Sequence, residues 1–384
     1  MGRFLRKMAA ALAAALLLGL LSPMAGAADV RLSTQTLKVN GVTVFCDAYN
    51  IDGSNYFKLR DLAMLLTDTG SRFAVSYDEA TQSVQVTTAR AYAPLGSELT
   101  KGEDLSATAQ PTRQRIFIDG REMTELSAYN IGGEQGSNYF KLRDLGDALG
   151  FHVNYDEESR TVYLRTRFDP GTARLTETED AGREYLDRIV FLGECTTYGI
   201  GYYYRHGYAD LCPSTQVWTP KEGYMYLARH ASTKINYTLT GEQLSIPECA
   251  RRSRPEILII TLGLNGFGAF TEESYKETCR ALVESIREAS PATEIILNTI
   301  YPVADSYELQ SVINNEKIGV FNGWIESLAE ELGCRFLNGF EALAVDGKLP
   351  ENLQNGDGLH LSGEAYVLVM QYIRTHALRS YLPE

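Results

Sequence analysis

Residues 256–262 read EILIITL, and residues 263–266, which follow directly, read GLNG. A continuous apolar run of this length is typical of a strand that is buried on both faces of a parallel sheet. Residues 294–300 read EIILNTI and have the same character. Between these two runs, residues 272–289 carry apolar side chains at helical spacing. This alternation of strands and helices predicts an α/β fold in which helices cover both faces of a parallel sheet.

Further segments of the same kind lie on either side. A short apolar run at 188–192 enters a glycine-rich turn. Residues 312–332 are predicted to form a long helix, residues 334–337 a short strand, and residues 362–378 a closing helix. Together these elements predict a flavodoxin-like, three-layer α/β/α domain over residues 185–382.

Chemically active side chains follow the predicted strands. Cys195 comes just after the first strand, Asn265 follows the second, and Asp357 and His360 directly precede the last helix. The working groups of a parallel sheet lie at the carboxyl ends of its strands, so we expect these residues to meet. Acyl transfer needs such a set: a nucleophile, an imidazole base, a carboxylate that orients it, and a donor for the oxyanion.

Residues 187–380 resemble the SGNH, or GDSL-type, hydrolases, a family of esterases, lipases and carbohydrate deacetylases. Its nucleophile block matches Gly193 to Gly199, its Gly-x-Asn-Asp block matches Gly263 to Gly266, and its Asp-x-x-His block matches Asp357 and His360. The resemblance implies an ester hydrolase in which His360 is the base and Asp357 orients it.

The same resemblance implies an oxyanion hole. Its donors would be the side chain of Asn265, the backbone N–H of Cys195, and the N–H of a glycine after the second strand of the sheet. Gly223 is our candidate for this glycine, and Gly241 is the alternative. No cofactor is implied, and the His and Cys residues show no zinc-ligand spacing, so no metal is predicted.

The nucleophile block departs from the family, because it reads Gly-Glu-Cys where the family has Gly-Asp-Ser. Cys195 therefore occupies the nucleophile position and Glu194 the position of the Asp. A Cys beside an imidazole can attack an ester and form a thioester, and Thr196 is a second, weaker candidate nucleophile. Gly266 replaces the Asp of the later block, which leaves the rigidity of that loop open. The alternative function is a catalytically inactive glycan- or cell-wall-binding protein on the same fold.

Aromatic residues are frequent in the segments after the first two strands. They favour an acylated glycan as the substrate, and a small ester is the alternative. These residues are Tyr198, Tyr202, Tyr203, Tyr204, Trp218, Tyr224 and Tyr226.

An internal repeat organises the N-terminal half. The string SNYFKLRDL occurs at 54–62 and again at 137–145. Matching turn and strand signals surround both strings, so we predict two small α+β repeats, over 31–90 and 111–166, each with one short helix and strand hairpins.

These repeats resemble the "stalk" domain named after the N-terminal domain of copper amine oxidases, which is common in exported proteins of Gram-positive bacteria. The resemblance implies a spacer, or a module that binds a cell-wall or surface polymer. It does not imply copper, because no His occurs between residues 28 and 151.

The start of the chain is predicted to be a signal peptide. Residues 1–27 contain a basic start, an apolar run and the small residues Ala25-Gly26-Ala27. No other run is long enough for a transmembrane segment, so we expect a secreted protein that is extracellular or associated with the cell surface.

The charge and the cysteine content of the chain give two further expectations. The chain of 384 residues has a formal net charge of −13 and no basic patch in its sequence, which argues against a nucleic-acid partner. Six cysteines in an exported chain suggest disulfides, but their irregular spacing argues against a dense framework. Cys212 with Cys249 is the favoured pair, and the sequence leaves the pairing open.

Overall fold

The computed structural model describes residues 28–100, 102–112 and 114–382. The predicted signal peptide, residues 1–27, lies outside them. Among the described residues, no helix is both long and apolar enough to cross a membrane.

Strands dominate the N-terminal half of the molecule, residues 28–166. Its strands are β1 (Val30–Leu32), β2 (Thr36–Val39), β3 (Val42–Val44), β4 (Ala48–Ile51), β5 (Ser54–Lys58), β6 (Phe73–Asp78), β7 (Ser83–Thr88), β8 (Gln110–Pro111), β9 (Arg115–Ile118), β10 (Arg121–Glu122), β11 (Ala128–Ile131), β12 (Ser137–Lys141), β13 (Phe151–Asp156) and β14 (Thr161–Thr166). Its helices are α1 (Leu59–Leu66) and α2 (Leu142–Leu149), one in each copy of the repeat. Each helix begins inside the repeated string, at the Leu that follows Lys.

The two copies of the repeat are intertwined, because all three sheets of this half take strands from both. The orders are β1-β4-β5-β12-β11-β8, β10-β9-β7-β6 and β13-β14-β2-β3. In the first sheet, β5 pairs with β12 in antiparallel register, and Phe57 lies opposite Phe140. These two residues are equivalent in the repeat, so the copies are related by an approximate twofold axis. One apolar core contains residues of both copies, among them Leu62 and Leu145.

The C-terminal half, residues 167–382, alternates strands and helices. Its strands are β15 (Ile189–Gly193), β16 (Val217–Trp218), β17 (Lys234–Tyr237), β18 (Glu242–Ser245), β19 (Ile257–Thr261), β20 (Glu294–Asn298) and β21 (Arg335–Leu337). Its α-helices are α3 (Gly182–Asp187), α4 (Cys195–Arg205), α5 (Ile246–Ser253), α6 (Glu272–Ala289), α7 (Asn315–Leu332) and α8 (Gly363–Thr375).

Five of these strands form the parallel sheet that the sequence predicts. Their order is β16-β15-β19-β20-β21, and all four pairings are parallel. Strand β19 is buried on both faces: Leu258 and Ile260 point into one apolar core, and Ile257 and Ile259 into the other. Helices α5, α6 and α7 cover the first face, and α3, α4 and α8 cover the second. The α/β prediction for this half is therefore confirmed.

The expected disulfide between Cys212 and Cys249 is wrong. All six cysteines have free thiols. Cys212 belongs to the core on one face of the parallel sheet and Cys249 to the core on the other, so the sheet separates them. Both act as small apolar side chains.

The two halves meet at the turn between α6 and β20 and at the end of helix α7. Arg165, which is only 5% exposed, donates to the carbonyls of Pro291 (2.6 Å) and Thr293 (3.1 Å). Gly333 caps α7 in the left-handed region at φ 59°, and a Cβ on it would collide with the carbonyl of Thr166. Strand β14 is thus packed directly against the C-terminal half.

This close packing makes a prediction about two glycines at α7. Gly333→Ala would add a side chain where both the backbone angle and the Thr166 carbonyl exclude it, so we expect the free energy of unfolding to fall by more than about 2 kcal/mol. Gly323→Ala is the matched control, because Gly323 lies in the interior of α7 with open space around it. It should raise stability by up to about 1 kcal/mol through helix propensity. Urea unfolding of both variants measures the difference, and equal stabilities would refute the packing.

Candidate active site

A buried carboxylate joins the first two loops of the site. Glu194, between β15 and α4, is 1% exposed. Its Oε1 accepts the N–H groups of Gly263 (3.0 Å) and Leu264 (2.7 Å), and its Oε2 accepts that of Asn265 (2.8 Å). Burial raises the pKa of Glu194 to about 7, although the three N–H groups act in the opposite direction. The loop after β19 is therefore held by the residue that stands next to the predicted nucleophile.

Cys195 is the first residue of helix α4 and is partly buried. Burial, followed by the charge of Glu194, raises the pKa of its thiol to about 12. The N–H groups of Cys195 and Thr196 act against this rise, and the Asp357 carboxylate adds to it. Cys195 therefore carries a neutral thiol at pH 7, and Asp357 is close enough for its charge to be felt there.

Asp357 and His360 form a hydrogen-bonded pair on the loop before α8. The His360 Nδ1 lies 2.6 Å from Asp357 Oδ2, and Asp357 Oδ1 accepts the N–H groups of Leu359 (2.9 Å) and His360 (2.8 Å). Partial burial acts to raise the pKa of Asp357, but these hydrogen bonds outweigh it and lower the pKa below its usual range. With Nδ1 directed at the carboxylate, Nε2 is the ring nitrogen left to handle a proton.

A fully buried tyrosine connects helix α4, which begins at Cys195, to the helix that follows His360. Tyr366, in α8, donates its hydroxyl to the carbonyl of Thr196 at 2.5 Å. A Cβ on Gly199 of α4 would collide with the same hydroxyl. The glycine therefore lets α4 approach α8 closely. Thr196, the alternative nucleophile, is 4% exposed.

The side chain of Asn265 is oriented by a neighbouring loop. Its Nδ2 donates to the carbonyl of Met225 at 3.0 Å. The residues on either side of Met225 are exposed tyrosines, Tyr224 at 68% and Tyr226 at 48%. Tyr226 lies against the loop of Asn265, because a Cβ on Gly266 would be 3.6 Å from its ring. Gly266 stands where the family has Asp, and the loop is fixed by Glu194 instead.

The two candidate glycines for the oxyanion hole lie in turns. Gly223 packs beside Tyr198 of α4, and its N–H donates to the carbonyl of Pro220 at 2.9 Å. Gly241 lies in the turn between β17 and β18, and its N–H donates to Tyr237 at 2.8 Å. The role of either glycine stays a prediction.

The structure thus has Cys195 at the start of helix α4, and Asn265 and the Asp357–His360 pair in loops, all at the carboxyl edge of the sheet. Sequence reasoning missed the roles of Met225 and Tyr366 in orienting them. No sequence signal marks Met225, since it acts through its backbone carbonyl. In the part of the chain that the structure describes, no cluster of three or more His, Cys, Asp or Glu residues could hold a metal ion.

Comparison with known proteins identifies the domain. Residues 191–368 match the model of the GDSL-like Lipase/Acylhydrolase family. Similar solved structures include a GDSL-like lipase from Bacteroides thetaiotaomicron, with 19% identity, a TM-score of 0.33, and coverage of 47% of this chain and 83% of that one. Another is a carbohydrate esterase family 3 protein from Talaromyces cellulolyticus, with 15% identity, a TM-score of 0.32, and coverage of 48% and 92%. A search of curated proteins gave no match. The C-terminal part of the chain is a GDSL/SGNH hydrolase domain.

The contacts of Glu194 predict a pH-dependent effect of Glu194→Gln. Folding raises the pKa of Glu194 from 4.5 to about 7. The stabilisation that comes from this raised pKa is therefore fully present below about pH 4.5, and it is lost as the pH rises through about 7. The Gln variant lacks this slope, and its amide cannot accept the Asn265 N–H. We expect it to be less stable than wild type by about 1–3 kcal/mol at pH 5, with a smaller gap at pH 8.

Urea unfolding at the two pH values measures this gap. Glu184→Gln, at an exposed position on α3, is the control and should change stability by less than about 0.5 kcal/mol at both. A gap that is equal at pH 5 and pH 8 would contradict the assigned titration of Glu194.

Proposed function

We propose that this protein is a secreted hydrolase of acyl esters, in which Cys195 attacks the ester carbonyl and His360, oriented by Asp357, carries the proton. The observation that carries this proposal is the bridge from Glu194 to Asn265. It holds the turn of the nucleophile and the loop of the oxyanion donor in one fixed arrangement. The match to a family of acylhydrolases supports the reaction class.

The protonation of Cys195 determines how the first step proceeds. Since the thiol is neutral at pH 7, His360 Nε2 removes its proton as the sulfur attacks, as in a serine hydrolase. The C–S bond forms, the alcohol leaves with the proton held by His360, and the acyl group remains as a thioester. Water then attacks the thioester with His360 again as base, which releases the acid and restores the thiol.

Negative charge on the carbonyl oxygen has two sources of stabilisation near Cys195. The Asn265 amide has two N–H groups, one of which donates to Met225, so the other is available to the oxyanion. The N–H groups of Cys195 and Thr196 open helix α4 and already favour negative charge at the Cys195 sulfur.

The substrate that we propose is an acylated glycan. Tyr224 and Tyr226 present exposed rings on both sides of the residue that orients Asn265. Flat aromatic faces with polar tips suit the apolar faces of sugar rings. The predicted signal peptide supports an extracellular glycan, and the N-terminal half would present the hydrolase domain to it.

Substitutions in the site test the reaction on a panel of small esters. We expect Cys195→Ala and His360→Ala to lower kcat/KM by about 10³-fold or more, and Asn265→Ala by about 10²–10³-fold. Cys195→Ser should retain activity, because the same His–Asp pair serves a hydroxyl. Cys212→Ala, in the apolar core, is the control for loss of a thiol.

A protein that only binds glycans would give a different pattern. Wild type, Cys195→Ser and Cys195→Ala would then be equally inert on every ester. Iodoacetamide labelling of Cys195 at pH 7 adds a readout that needs no substrate: His360→Ala should slow it if His360 removes the proton. Labelling that does not depend on His360 would contradict the proposed base.

The glycan proposal predicts a split between two substrates. Tyr224→Ala with Tyr226→Ala should raise KM for an acetylated oligosaccharide by about 10-fold, since each stacked ring contributes of the order of 0.5–1.5 kcal/mol, and should leave turnover of p-nitrophenyl acetate nearly unchanged. Tyr77→Ala, an exposed tyrosine of the N-terminal half, is the control. An unchanged KM for the oligosaccharide in the double variant would refute the stacking role.

A further inference from the structure

A cavity with a volume of about 570 Å³ lies between the N-terminal half and the hydrolase domain. Its walls come from the β2–β3 hairpin and strand β14 on one side. On the other side they come from the first residues of β20 and β21 and from residues 377–381. Because Glu294 and Arg335 begin their strands, the cavity lies at the amino edge of the parallel sheet, opposite the edge that carries Cys195.

Positive charge dominates this cavity, although the whole chain has a net charge of −13. Lys38, Arg174, Arg335 and Arg379 line it, and Glu294 is the acidic residue among its lining side chains. Arg174 is already paired with Glu326 at 2.9 Å. The other three cations form no ion pair with the described residues, because no carboxylate oxygen of those residues lies within 4.0 Å of their nitrogen atoms.

Arg335, a partly buried member of this set, is held in place by uncharged groups. The Arg335 guanidinium lies over the ring of Phe168, 4.4 Å from its centroid, and donates to the carbonyl of Thr172 at 3.3 Å. Burial lowers its pKa below the usual range, with the charge of Glu294 acting against this. Arg335 is thus a fixed, partly buried cation with N–H donors to spare, which an anion would stabilise.

We propose that this cavity binds an oligoanion, a ligand that carries several phosphate or carboxylate groups. Guanidinium groups bind both kinds of anion through paired N–H donors. Three cations from separate elements, Lys38, Arg335 and Arg379, surround a volume larger than a single anion needs. Since the cavity lies opposite the catalytic edge, its occupant would hold the protein without covering Cys195.

Isothermal titration calorimetry of the protein without residues 1–27 tests the proposal. Short-chain polyphosphate and oligogalacturonate distinguish phosphate from carboxylate groups, and a neutral maltooligosaccharide is the uncharged control. We expect at least one oligoanion to bind, with an affinity that falls as ionic strength rises, and the neutral sugar not to bind. Absence of binding by both oligoanions at low ionic strength would overturn the proposal.

Matched variants distinguish binding in this cavity from non-specific attraction to cations elsewhere on the surface. Lys38→Gln with Arg379→Gln should raise Kd by about 10-fold or more. Arg121→Gln with Lys234→Gln removes two exposed cations elsewhere and should leave Kd nearly unchanged. An equal loss in both double variants would overturn the proposal.

A third variant should change the affinity in the opposite direction. Glu294→Gln removes the carboxylate that lines the cavity, so it should tighten binding several-fold. Damage to the fold could not produce this result. Weaker binding by Glu294→Gln would count against the site, and ester hydrolysis by all of these variants should match that of wild type.

Discussion

The three N–H groups that donate to the buried carboxylate of Glu194 are the constraint on which the candidate site depends. They make the turn before Cys195 and the loop of Asn265 a single rigid unit. Three backbone donors that point at one place would be costly to bury without an acceptor. Glu194 supplies it, with a side chain one methylene longer than the Asp of related hydrolases.

Much of this arrangement could be predicted from the sequence because the signals are local. Helix α6 runs over Glu272–Ala289, the predicted bounds, since Thr271 and Ser274 form a capping box at its start. The buried strands are unambiguous because their apolar runs are continuous and bounded by turns. The carboxyl-edge rule predicted that Cys195 and His360 lie at the same edge of the sheet, and their joint role stays a prediction.

Long-range features could not be predicted in the same way. The prediction of a Cys212–Cys249 disulfide was wrong, because spacing along the chain does not reveal on which face of a sheet a residue lies. The repeat was visible, but its two copies were expected as separate units, since sequence identity says nothing about which strands exchange partners. The short hairpin β17–β18 and helix α5 were also missed, as neither has a strong periodic pattern.

The intertwined repeat has the form of a symmetric dimer within one chain. Identical strands meet in antiparallel register at Phe57 and Phe140, as they would across the twofold axis between two subunits. The segment between β7 and β8 connects the partners, so their association is intramolecular, with an effective concentration of the order of millimolar. Dilution, which separates ordinary dimers, therefore leaves this pair assembled. Sequence divergence between the two copies is therefore constrained wherever each completes the other, in the paired strands and in the common apolar core.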